Sequence, residues 1–133
     1  MKYILTLILL LFPLVFFSEE SKVYFIEPRD GEEVTSPFRV KFGLQGMGVA
    51  PAGVSVENTG HHHLLVNLDK LPDLRAPIPS GENHIHFGRG QTETIMKLPL
   101  GFHSLQLLLG DKYHIPHDPP LFSETIHIKV ISN

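Results

Sequence analysis

Past its first 18 residues this chain has no stretch with a helical period. Short apolar runs alternate in strand fashion instead, and glycine and proline, eleven of each, cut them apart. A period of two sends successive side chains to opposite faces, and frequent turn signals keep each run short. The runs are Val23-Tyr24-Phe25-Ile26, Phe38 to Leu44, His61 to Leu68, Thr92 to Leu98, Phe102 to Leu109 and Glu124 to Ile131. Phe38, Val40 and Phe42 alternate with Arg39 and Lys41, and Ile126, Ile128 and Val130 with His127 and Lys129. Both are the pattern of a half-buried strand, with His127 on the solvated side. The expected fold is all-β, an immunoglobulin-like or fibronectin III-like β-sandwich of about seven strands with three long loops. Leu98-Pro99-Leu100-Gly101-Phe102-His103 resembles the corner between the fifth and sixth strands of such domains, where an inward aromatic usually stands at the position of His103. His103 is therefore expected at the core edge, bonded to backbone.

Residues 1–18 read as a signal peptide, leaving 19–133 as a single domain. Met1, Lys2 and Tyr3 form a short basic start, Ile4 to Phe17 is apolar apart from Thr6, and Glu19 and Glu20 end the run. A membrane span needs about 20 apolar residues. Phe16-Phe17-Ser18 is an imperfect cleavage site, so an uncleaved anchor is the alternative, the chain's one expected tie to a membrane. Export to the periplasm or the medium follows from this reading. The chain contains no cysteine, which excludes lipidation at the N-terminus, disulfides, thiolate metal sites and cysteine nucleophiles. Without Lys2 the mature chain carries ten basic and fourteen acidic residues, a net charge of −4. Its basic residues are scattered, without the clustering or aromatic interleaving of a nucleic-acid binder.

Three long loops, 43–60, 69–91 and 110–122, separate the strands. Loops of this length in a small domain carry function or pack by their own side chains. Chemistry-bearing residues concentrate beside them. His61-His62-His63 opens the third strand, His84 and His86 lie in the second loop, and His114 and His117 lie in the third. Strand alternation puts His62 on the core face with Leu64 and Val66, and turns His61 and His63 outward together. His84 and His86 share that spacing, and do the same if their segment is extended.

Neutral imidazole is the commonest protein ligand for transition metals. A cysteine-free site would be built from nitrogen and oxygen, which suits copper(II), zinc or nickel better than copper(I). The candidate ligands are His61, His63, His84, His86, His114 and His117. Glu82, Glu93, Asp111 and Asp118 are the acids able to bind directly or hold an imidazole tautomer. The competing explanation is structural: buried loop backbone needs hydrogen-bond partners, and imidazole both donates and accepts. Other chemistries lack their residues. Ser80, Ser104 and Ser123 have no small-residue elbow. Glu82 and Glu93 are not singled out as a paired-carboxylate centre. Gly88-Arg89-Gly90-Gln91 has no strand-loop-helix context for phosphate. A blue-copper site needs a cysteine.

Three groups of motifs carry a family resemblance. They are Gly43-Leu44-Gln45-Gly46-Met47-Gly48-Val49-Ala50-Pro51-Ala52-Gly53 with Asn58-Thr59-Gly60-His61-His62-His63-Leu64-Leu65; Glu82-Asn83-His84-Ile85-His86-Phe87-Gly88 with Gly90-Gln91-Thr92-Glu93; and Leu107-Leu108-Leu109-Gly110-Asp111 with His114-Ile115-Pro116-His117-Asp118-Pro119-Pro120. Together they resemble the bacterial family known as domain of unknown function 4399. The resemblance covers nearly all of the mature chain and implies a small exported protein, with no settled activity to carry over. Tyr113 departs from the polar residue or histidine expected there in relatives.

The sequence thus predicts an exported histidine-rich β-sandwich that binds a copper or zinc ion, for metal binding or handling rather than catalysis. The alternative is a non-catalytic cell-envelope module, with an envelope protein as partner and structural histidines. A third reading is a small hydrolase or redox enzyme that uses the bound metal.

Overall fold

The computed structural model describes residues 19–133; residues 1–18, expected from sequence to be a signal peptide, lie outside the described residues. The described residues form nine strands: β1 (Lys22–Glu27), β2 (Glu33–Thr35), β3 (Phe38–Gln45), β4 (Gly48–Val49), β5 (Thr59–Val66), β6 (His84–His86), β7 (Glu93–Met96), β8 (Gly101–Gly110) and β9 (Ile126–Ile131). The chain is all-β and packs as a sandwich. One sheet has the order β1-β3-β7, and the other β2-β9-β8-β5-β4, with β6 also paired to β5. The six strands read from alternation are all present. The extra ones, β2, β4 and β6, are two or three residues long, too short for a period to register.

Alternation accounts for the main core. Val23, Phe38, Val40 and Phe42 from the first sheet meet Leu64, Val66, Leu105, Leu107, Ile128 and Val130 from the second. Each such side chain contributes about 1.5–3 kcal/mol when fully buried.

β5 positions the site. It pairs antiparallel with β8 along one side. On its other side β4 runs parallel to its first residues, Thr59 and Gly60, and β6 antiparallel to His63, Leu64 and Leu65. Every residue from Gly60 to Val66 is buried, so the strand has no solvated face. Its second face is covered by a smaller apolar cluster: Leu65, Leu108 and Ile78, joined by Leu68, Leu71 and Leu74. The segment carrying Leu68 to Ile78 folds back over the outside of the sheet. It is tied to the third loop where Ile78 N–H donates to the carbonyl of His114 at 2.7 Å.

His103 sits at the core edge, as the corner predicts. Its Nε2–H donates to the Pro99 carbonyl at 2.8 Å. A carbonyl only accepts, so Nδ1 is bare and accepts from Asn67 Nδ2 at 3.0 Å. Asn67 Oδ1 in turn accepts Ser104 N–H, which fastens the end of β5 to β8. His127 is exposed, with Nδ1 3.8 Å from Asp30.

Candidate metal centre

His61 and His63 leave β5 on the face opposite the main core, as alternation requires, and point the same way. They do not face water: their relative exposures are 0% and 1%. His61 packs instead against His63, His86 and His114, with ring centroids 4.8, 4.9 and 5.0 Å away, and His63 lies against Gly110, contacts that strand period alone does not reveal. His86 enters from β6, directly opposite His63 in the ladder. His114 enters from the third loop, over the end of β8.

These four side chains meet. One ring nitrogen from each of His61, His63, His86 and His114 lies within 4.8 Å of the others. His61 Nε2 is 3.1 Å from His114 Nδ1 and also 3.1 Å from His86 Nε2. An imidazole nitrogen carries one hydrogen or one lone pair, so His61 Nε2 satisfies one of these neighbours well and not both. His61 Nδ1 and His63 Nδ1 are buried with no hydrogen-bond partner among the described residues. An orphan of this kind costs about 1–3 kcal/mol. Among the described residues no carboxylate joins the four rings.

The local backbone is built to present them. Asp111 Oδ1 accepts N–H from Tyr113 at 2.8 Å and from Ile115 at 3.0 Å. That turn holds His114 in the left-handed region, at φ 65°, a conformation costing roughly 1–2 kcal/mol for a residue with a side chain. Gly110 and Gly88 leave room for rings: a β-carbon on Gly110 would press on His63, and one on Gly88 would press on His86. His86 is exposed and His114 half-buried, so the cluster opens to solvent on that side.

Burial and repulsion from neighbouring rings favour the neutral form of His61, His63 and His86. Burial lowers the His61 pKa to about 4, helped by His86 and His114 and opposed by Asp111. Burial lowers that of His63 to about 3, helped by His61, His86 and His114. That of His86 is also lowered, by burial and then by His114. Neutral imidazole is the form that binds metal.

The other histidines lie elsewhere. His84 is two residue pairs along β6 from His86, opposite Leu65, and stands outside the group of four. His117 is outside it too. Its Nε2–H donates to the Thr59 carbonyl at 3.0 Å, and its Cε1 packs against Gly60, which has no β-carbon to block it. Tyr113 is exposed and outside the group. His62 turns to the main core and stacks on Phe42, ring centroids 5.0 Å apart.

No curated protein matches this chain. Among solved structures the chain is similar to "X-ray structure of the endo-beta-1,4-mannanase from Thermotoga petrophila", at 19% identity and a TM-score of 0.49. The match covers 86% of this chain and 20% of that one, so the chain spans about a fifth of the enzyme's length. A likeness this slight carries no argument about activity. The family model described as "Domain of unknown function (DUF4399)" matches residues 40–131, and the chain belongs to that family.

Proposed function

We propose that this protein binds a transition-metal ion, copper or zinc, through His61, His63, His86 and His114, and that its role is metal binding or handling. The observation that carries the reading is the meeting of four imidazoles from three separate segments, at distances their own hydrogen bonds do not satisfy. His84 and His117 are left out of the ligand set, the first for its distance along β6 and the second for its bond to Thr59. The apolar run Ile4 to Phe17 supports action in the periplasm or outside the cell.

Metal titration of the purified protein tests the proposal. One equivalent of zinc or copper is expected to bind tightly, and His61→Ala and His63→Ala to abolish that binding, while His84→Ala leaves it intact. An ion at 100 times its Kd adds about 2.7 kcal/mol to folding stability, so the melting temperature rises only when metal is added. An envelope module with structural histidines gives the other pattern, supported here by the backbone bonds of His103 and His117. In that case histidine substitution lowers the melting temperature equally with and without metal.

A further inference from the structure

The arrangement of the four rings discriminates between ions, given the metal reading above. An imidazole bound at about 2.0–2.1 Å places its ring centroid about 3.2 Å from the ion. At the corners of a tetrahedron, all six pairs of centroids are then about 5.2 Å apart. At the corners of a square, four pairs are about 4.5 Å apart and the two diagonals about 6.4 Å.

The observed separations are 4.8 Å for His61–His63, 4.9 Å for His61–His86 and 5.0 Å for His61–His114. They are 5.0 Å for His63–His86, 6.0 Å for His63–His114 and 4.6 Å for His86–His114. His63–His114 is the one long pair. A square with that diagonal makes His61–His86 the other, and at 4.9 Å it falls about 1.5 Å short of the required length. A tetrahedron asks for smaller changes: one pair shortens and the rest open by a few tenths of an ångström. The two 3.1 Å contacts of His61 Nε2 agree, since nitrogens at tetrahedral zinc lie about 3.3–3.4 Å apart.

Opening the square would require His61 to retreat from His86. His61 is fully buried on a strand paired on both sides, so it cannot supply that movement, and the whole separation of about 1.5 Å would fall to His86. From this geometry we propose that the ion is zinc(II), held tetrahedrally by His61, His63, His86 and His114 with no position left for water. Four protein ligands around zinc make a closed, structural kind of site, whereas a catalytic zinc keeps a position open. The ion then acts as a clasp that pins β6 and the His114 loop onto β5.

Affinity alone does not test this, because copper(II) outcompetes zinc at most nitrogen sites. Cobalt(II) reports geometry instead, since tetrahedral cobalt absorbs visible light far more strongly than six-coordinate cobalt. Cobalt added to the purified protein is expected to give intense visible bands that saturate at one ion per chain and vanish with one equivalent of zinc. His86→Ala removes an exposed ligand without touching the core. It is expected to collapse those bands and to weaken zinc by more than the roughly 10–100-fold that losing an outer-shell partner costs. His84→Ala is expected to leave both unchanged. Stoichiometric cobalt with only weak absorption, or binding of copper with no binding of zinc or cobalt, overturns the tetrahedral zinc clasp and leaves metal binding standing. Failure of zinc, cobalt and copper alike to bind overturns both.

Discussion

Gly110 lies against the imidazole of His63, so that a β-carbon there would stand 2.7 Å from Cε1 and 3.2 Å from Nδ1 of the ring. His63 has no free side to move toward, being 1% exposed. Gly110→Ala is therefore expected to lower stability by about 1–3 kcal/mol, the usual cost of overpacking, and to weaken metal binding with it. Urea denaturation and a zinc titration of the same variant measure both.

Gly88→Ala makes the complementary case. The group that its β-carbon would meet is the ring of His86, which is exposed and free to swing outward. Stability is expected to stay within about 0.5 kcal/mol of wild type while zinc affinity drops at least tenfold. A loss of stability as large as that of Gly110→Ala would show that His86 is fixed in place.

His103 stabilises the corner through Pro99 and Asn67, well away from the ligand cluster. His103→Ala leaves the Pro99 carbonyl without its donor and should cost about 1–3 kcal/mol. Metal affinity should be unchanged. A variant that folds as well as wild type but binds zinc poorly would contradict both halves of this expectation.

The metal-free protein should lose stability in mild acid. The pKa values of His61 and His62 are lowered to about 4 and that of His63 to about 3, in each case chiefly by burial. An unfolded imidazole titrates near 6.5, so as pH falls the unfolded chain takes up protons before the folded one does. The contribution of these residues is complete above a pH of about 6.5 and drains away toward 4 and 3, by up to about 1.4 kcal/mol per pH unit for each. Urea midpoints at a pH of about 7.5 and about 5 should differ clearly; equal midpoints would exclude proton uptake by these rings as a route to unfolding.

His62 is buried in the main core with neither ring nitrogen hydrogen-bonded among the described residues, and it stacks on Phe42. His62→Phe removes two unpartnered polar atoms in exchange for a ring suited to that neighbour. Replacing an unsatisfied polar group by an apolar one of similar shape is neutral to stabilising. The variant should keep or raise the urea midpoint at neutral pH and show a shallower decline in acid.

Alternation along β3, β8 and β9 was enough to place Phe42, Leu107 and Ile128 in one core, because each of these strands has a polar or half-exposed side to contrast with. The same reasoning put His61 and His63 on a common side of β5. It missed their burial, because the rings that pack on them, His86 and His114, come from loop segments with no period to read. The pairing of β6 with β5 brings His86, and not His84, beside His63. That choice depends on register across the 17 residues between the two strands, and two histidines at one spacing look alike from sequence. Asp111 bonding Tyr113 and Ile115 separates His114 from His117 in the same way: a turn aims one ring at the cluster and leaves the other to Thr59.

The four candidate ligands are far apart along the chain. His61 and His63 are local to each other, but His86 lies 25 residues from His61 and His114 lies 53. Of the four candidate ligands, an unfolded chain holds only His61 and His63 close together, and bringing in His86 and His114 waits on the closure of long loops. The register of β5 with β6 and β8 must come first. Occupancy of the full four-histidine site would therefore record that folding is complete, and loading it is expected among the last steps in the protein's maturation.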